Sequence, residues 1–310
     1  MNMRLKTILI VLSLILIISI PFVTKAHDDK GPGSVRVIRG LNYAAQSGAA
    51  AGSNSNSQAL DLYLPTRASQ ATKAPMIIFI HGGAWLQGDK GEAQGLSLAL
   101  AQLGFASASI NYRLTQEAIY PAQIDDCRQA IRWLRNHADE YNLDPNKFGV
   151  WGISAGGHLA ALLGTSGDTA SAATAGPDLR LQAVCDWCGP SDLLTVSGQA
   201  GSRNKLDYDT AQGPVGKLLG GVPAEKKELA REASPVTYIN SGDPPFLIMH
   251  GDIDDLVPFA QSEELESRLK AAKVPVEFVR LRGKEHNFMS EEEVRRVIDF
   301  FKQNLIDKKN

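Results

Sequence analysis

Cysteine is scarce in this chain, with three in 310 residues at positions 127, 185 and 188. Cys185-Asp186-Trp187-Cys188 has CxxC spacing, but no second pair supplies the further ligands a zinc site would need. The thiols are therefore expected as buried small apolar side chains. A local disulfide between Cys185 and Cys188 is the alternative in an oxidising compartment. Excess charge of either sign is also missing: 32 Lys and Arg stand against 34 Asp and Glu, a formal charge of −2, which points away from a nucleic-acid partner. No long Pro-rich or charged linker divides the chain, so one large domain with a substantial core is expected.

The first 26 residues read as an address. Arg4 and Lys6 precede an apolar run from Ile8 to Ile20, and Thr24-Lys25-Ala26 offers small residues for cleavage after Ala26. The expectation is an exported protein, periplasmic or secreted, with an uncleaved anchor as the alternative because Phe22 and Val23 lengthen the run. Cleavage would remove three positive charges and no acidic residue, taking the formal charge from −2 to −5. No membrane partner is expected beyond this signal.

Residues 44–58 form a small-residue polar loop without periodicity. It separates a strand around Val35 to Ile38 from one in which Leu60, Leu62 and Leu64 alternate with Asp61 and Tyr63, as a half-buried strand should, and a hairpin is expected. From Ala74 onward short apolar runs alternate with helical segments, the mark of β-α units on a mostly parallel sheet. The strands are 76–80, 105–110, 147–151, 181–187, 246–250 and 276–281. Ile124, Cys127, Ile131, Leu134, Ala138 and Tyr141 recur at steps of three and four, one apolar helix face. Further helices are expected near 261–272 and 291–307. Residues 191–240 interrupt the alternation and read as an excursion over the sheet, a small lid.

The chemistry concentrates in three places. In Gly152-Ile153-Ser154-Ala155-Gly156 a serine stands between an apolar strand and a helix, and the flanking glycines leave room for a strained turn that exposes its hydroxyl. Upstream, the strand ending at Ile80 runs into His81-Gly82-Gly83-Ala84-Trp85, where glycines let backbone amides approach a carbonyl oxygen. Donors from Gly83, Ala84 and Ala155 would converge on one oxyanion. Downstream, "HGDIDDLVP" and "GKEHNF" supply carboxylates and a histidine in the order Ser, Asp, His that belongs to the α/β-hydrolase fold.

Six histidines compete for the base. His27 lies at the signal junction and His137 outside the apolar helix face. His158, one turn after the serine, is better suited to packing or hydrogen bonding under the turn. His250 precedes the acid loop and reads as structural, which leaves His81 at the end of the oxyanion strand and His286 in a turn after the last strand. For the acid, Asp252, Asp254 and Asp255 share one loop, and the residue pattern alone admits any of them. Asp125 and Asp126, near a helix start, read as capping or dipole-complementing groups. Trp85 is open between lining a pocket and packing under its loop, and Trp187 and Asp192 are equally open.

The blocks "HGGAW", "NYRL", "PAQIDDCRQAIRWLR", "GISAGGHLAALLG", "GPSDL", "DPPFLIMHGDIDDLVP" and "EHNF" resemble the bifunctional acetyl and feruloyl carbohydrate esterase-like family of α/β-hydrolases, from about Val35 to the last helix. The resemblance implies a serine esterase acting on acylated carbohydrates or small esters, needing no metal or organic cofactor. It also implies that Asp254, four residues after His250 in an HGxxDxxVP pattern, is the triad acid, that His286 is the base, and that His81 organises the oxyanion loop. An amidase or aryl-formamidase on the same triad is the enzymatic alternative. A recognition protein on a hydrolase scaffold is the non-enzymatic one.

Overall fold

Leu60, Leu62 and Leu64 form the centre of β2 (Ala59–Pro65), which lies antiparallel to β1 (Val35–Asn42) with Val35 opposite Pro65 and Asn42 opposite Ala59. In the computed structural model that describes residues 34–44, 56–66, 72–172 and 179–307, this pair is the expected hairpin. The export signal and most of the 44–58 loop lie outside the described residues. One detail differs from expectation: β2 is buried on both faces, with Asp61 and Tyr63 covered as well, and β4 (Ala106–Ile110) pairs along its other edge. A buried carboxylate needs partners. Asp61 has them in the Gly40 amide (2.9 Å), Arg39 (3.2 Å) and Lys90 (3.3 Å).

β3 (Ala74–Ile80), β5 (Leu143–Ile153), β6 (Ala183–Trp187), β7 (Phe246–Gly251) and β8 (Val276–Leu281) complete an eight-stranded sheet of order β1-β2-β4-β3-β5-β6-β7-β8, parallel from β4 to β8. The inner strands β3 and β7 are continuous buried runs because helices cover both faces, whereas β8 at the edge leaves Glu277 and Arg280 exposed. The helices are α1 (Gln94–Gln102), α2 (Ala122–Asn136), α3 (Ala155–Ala172), α4 (Val196–Gln199), α5 (Pro214–Leu219), α6 (Lys227–Glu232), α7 (Ala260–Ala271) and α8 (Glu291–Phe301). On one face Ile78, Ile80 and Val150 pack with Ile124 of α2, Leu159 of α3 and Leu265 of α7. On the other, Ile77, Phe79 and Trp151 pack with Leu100 of α1 and Val297 and Phe301 of α8.

Helix α2 buries Ile124, Cys127, Ile131 and Leu134 as its periodicity requires, yet it stops at Asn136, before Ala138 and Tyr141. The chain turns there through Asn142, at a left-handed φ of +53°, whose carbonyl accepts from Ala74 of β3 (2.9 Å), so the chain is brought into line to begin β5. The excursion between β6 and β7 holds the short helices α4 to α6, and its Val215, Leu218, Leu219 and Ala233 belong to the core. It is also pinned by polar contacts: Tyr120 donates to Glu232 (2.7 Å) and Asn204 to Leu256 (2.9 Å). It is a packed part of the domain. No helix among the described residues is long and apolar enough to cross a membrane.

Candidate active site

The segments after β3, β5, β7 and β8 all leave the carboxyl edge of the sheet, the edge where open parallel sheets bind ligands. Ser154 comes first. Its φ is +58°, a left-handed conformation costly for a residue with a Cβ. Two contacts hold it, its amide donating to Trp187 (2.7 Å) and its carbonyl accepting from the His158 amide (2.9 Å), and the turn feeds directly into α3. The glycines are sterically required. A Cβ on Gly152 would lie 1.9 Å from the Gly156 carbonyl oxygen, and one on Gly156 would lie 2.1 Å from that of Ile80.

The loop after β3 approaches this turn closely, since a Cβ on Gly82 would lie 3.4 Å from the Ser154 Cβ. Gly83, Ala84 and Trp85 have consecutive positive φ values of +101°, +55° and +60°. The Gly83 carbonyl closes the loop on the amides of Leu86 (2.9 Å) and Gln87 (3.1 Å). Among the described residues nothing accepts from the Gly83 or Ala84 amides, and Ala155 opens α3, where an amide has no helical acceptor. His81 anchors the loop: its ring stacks on Tyr112 at 4.4 Å and its Nδ1 donates to the Gly82 carbonyl (2.8 Å). Burial lowers its pKa to about 4, so the ring is neutral and serves as a strut.

Trp85 is buried, its ring edge-on to His158 at 5.1 Å, which settles its place as packing beneath the loop. His158 in turn donates from Nε2 to Ala233 of the excursion (2.6 Å), and burial lowers its pKa to about 4. The pair thus ties the loop, α3 and the excursion together.

The three aspartates of the loop after β7 point to three different partners. Asp252 accepts from the Gly283 amide (2.7 Å) and Arg280 (3.0 Å), and Asp255 pairs with Lys205 of the excursion. Asp254 faces inward: its Oδ2 accepts from His286 Nδ1 (2.7 Å) and His250 Nε2 (3.0 Å), and its Oδ1 from the amides of Leu256 (2.8 Å) and Val257 (2.9 Å). Burial alone would raise its pKa, but the hydrogen bonds from both imidazoles outweigh that and hold it below the usual carboxylate range. For His286 burial disfavours the cation, while the Cys188 sulfur and the Asp254 carboxylate favour it, and the net direction is upward. With Nδ1 donating to Asp254, Nε2 is left to accept a proton.

Two groups, Asp126 and Asp186, went unnoticed in the sequence or were read differently. Asp126 is not a capping group. It is buried and takes Arg113 through Nε (2.8 Å) and Nη2 (2.7 Å), the Arg113 amide (2.9 Å) and Gln58 (2.8 Å), bracing the "NYRL" segment beside the His81 loop. Asp125 stays near the surface in an i,i+3 pair with Arg128. Asp186 is fully buried beneath the Ser154 turn, where Oδ1 accepts from Gly189 (2.9 Å) and burial pushes its pKa up to about 7. Cys188 lies beside His286, and it and Cys185 are buried free thiols, so the disulfide alternative is not realised.

The BD-FAE family model matches residues 60–269. The chain belongs to the BD-FAE family. Among curated relatives, the probable carboxylic ester hydrolase LipM of Mycobacterium tuberculosis is 30% identical over 269 residues, covering 84% of this chain and 60% of LipM. Esterase LipC of the same organism is 33% identical over 240 residues, covering 74% and 57% respectively. The chain thus spans about six-tenths of the length of these relatives. Among solved structures, a truncated carbohydrate esterase from gut microbiota is 32% identical with a TM-score of 0.73, covering 87% of this chain and 96% of its own. A bifunctional GH43-CE protein of Bacteroides eggerthii is 30% identical with a TM-score of 0.76, covering 89% and 39%. This BD-FAE chain therefore has the α/β-hydrolase fold expected from its strand order and sequence blocks.

Proposed function

We propose that this chain is a carboxylic-ester hydrolase that works through an acyl-enzyme and removes short acyl groups, acetyl foremost, or feruloyl groups from carbohydrates or small esters. The observation that carries the reading is Ser154, held at φ +58° on a strand-to-helix turn beside the Gly83 and Ala84 amides, which have no acceptor among the described residues. The Asp254–His286 bond of 2.7 Å adds an oriented base. The esterase names among the relatives support the ester class, and the carbohydrate esterase structures favour a sugar-borne ester.

In this mechanism His286 Nε2 takes the proton of the Ser154 hydroxyl as its oxygen attacks the ester carbonyl. The amides of Gly83, Ala84 and Ala155 stabilise the resulting oxyanion, where a single well-placed donor contributes about 10²–10³-fold in rate. His286 then protonates the leaving alcohol. Water, deprotonated by the same ring, releases the acid, while Asp254 holds the imidazole in the tautomer that both steps need. We further propose export directed by Arg4, Lys6 and the Ile8–Ile20 run, with N-terminal sequencing of the extracytoplasmic protein as its check.

Acetylated xylan, methyl ferulate, formylated aromatic amines and nitrophenyl esters of increasing chain length make up the deciding panel. Release of acetate or ferulate from the sugar and aryl esters supports the proposal. Turnover confined to the formylated amines would replace it with an amidase reading.

A further inference from the structure

Cys188 is a buried thiol that the hydrolytic mechanism does not use, yet its sulfur is turned toward the Asp254–His286 pair. Sγ lies 3.8 Å from the His286 carbonyl oxygen, and one ligand atom from each of Cys188, Asp254 and His286 lies within 4.8 Å of the other two. Three separate chain segments meet here: Cys188 directly follows β6, Asp254 follows β7 and His286 follows β8. The position of the sulfur is held by the backbone. Cys188 has a left-handed φ of +46°, and its amide donates to Met249 of β7 (2.9 Å).

Thiolate, imidazole and carboxylate are the three side-chain donors that zinc takes, at about 2.0–2.3 Å each, and ligands held on a tetrahedral ion stand under about 4 Å apart. The 4.8 Å span must contract for all three to hold one ion. We propose that Cys188, Asp254 and His286 form an inhibitory zinc site, in which the ion binds the Cys188 sulfur, an Asp254 oxygen and Nδ1 of His286. The Cys188 proton leaves to water, and the His286 ring hydrogen moves by solvent exchange from Nδ1 to Nε2. Nothing is oxidised or reduced. Nε2 then carries a hydrogen and can no longer accept one from Ser154, so zinc converts the base into the wrong tautomer while leaving the serine turn intact. The inhibition rests on the proposed hydrolase mechanism, whereas the metal site itself does not.

The test uses the full chain stripped of metal. ZnCl2 is titrated during hydrolysis of nitrophenyl acetate, and in parallel CoCl2 is titrated while thiolate-to-cobalt charge-transfer absorption is read. Saturable inhibition reversed by EDTA is expected, with a cobalt band that saturates at one ion per chain. In Cys188→Ala, rates being taken relative to that variant's own metal-free rate, both responses weaken by at least about tenfold, as loss of a coordinating group requires. A double variant, Cys127→Ala with Cys185→Ala, leaves Cys188 as the one thiol and keeps the cobalt band, which maintains the test if Cys188→Ala fails to fold. Absence of the band in wild type or in the double variant overturns the proposal, as does undiminished zinc inhibition in folded Cys188→Ala. A chain with no ester turnover but a Cys188-dependent cobalt band would refute the hydrolase reading and retain the metal site.

Discussion

His250 Nε2 lies 3.0 Å from Asp254 Oδ2, the same oxygen that accepts from His286. Nε2 also faces the Val257 carbonyl (3.1 Å), and with two acceptors before it that nitrogen must carry the ring hydrogen. Nδ1 then accepts from the Ser262 hydroxyl at 2.7 Å. His250 is thus a brace that holds the carboxylate from behind. His250→Ala removes a buried hydrogen bond to a charged group and is expected to cost about 1.5–3 kcal/mol of stability. It should also lower kcat more than it raises KM, because Asp254 loses orientation while the substrate contacts remain. Denaturant unfolding together with steady-state kinetics checks both.

Gly156 has no room for a side chain, as a Cβ there would lie 2.1 Å from the Ile80 carbonyl oxygen. That atom is backbone at the end of β3 and can yield only by moving the strand. Gly156→Ala should destabilise by at least about 1–3 kcal/mol, the usual range for overpacking. Because the strain bears on the serine turn, reaction of the residual folded protein with an active-site probe should also slow. Gly95→Ala, where nothing lies within 4 Å, is the control and should fold normally.

The pH profile follows from the direction of the His286 shift. The base form is needed, so kcat/KM should rise with pH and level off above an apparent pKa higher than the ordinary histidine value of about 6.5. His81 and His158, both lowered to about 4, do not titrate in that window. Asp186, near 7, does, and Asp186→Asn should leave the limb in place if His286 sets it. Asp254→Asn withdraws the carboxylate that favours the cation. It should move the limb to lower pH and reduce kcat by up to an order of 10⁴-fold.

Asp126 predicts an effect at a distance. Its bidentate pair with Arg113 braces the segment whose Tyr112 stacks on His81. Asp126→Ala leaves the guanidinium without its partner. The cost should fall near the lower end of about 3–5 kcal/mol, because the Arg113 side chain keeps about a third of its surface in water. Thermal unfolding tests this, and restoration of stability in Asp126→Ala, Arg113→Met would attribute the loss to the unpaired charge.

Legibility in the sequence followed the range of the interaction. The strands and the apolar face of α2 are set by neighbours a few residues apart, and so is the glycine-serine turn, where both glycines answer to atoms of the same strand, turn and helix or of the adjoining strand end. The loop aspartates were ambiguous for a physical reason. A carboxylate's direction depends on its backbone turn and on Arg280, Lys205 or His286, none of them near it in sequence. Asp126 with Arg113, and Cys188 with His286 98 residues later, are likewise contacts made by the fold. Periodicity overextended α2 because a turn at Asn142 was needed to start β5. It also left β2 half-buried because alternation does not show what covers the face that holds Asp61 and Tyr63.

Ser154 is the proposed nucleophile, activated by His286. Incubation with a fluorophosphonate probe, followed by intact mass and peptide mapping, measures it directly. One adduct per chain on Ser154 is predicted, absent in Ser154→Ala and slowed by several orders of magnitude in His286→Ala. A folded wild-type chain that gains no adduct, or that is labelled elsewhere while Ser154 stays free, would contradict it.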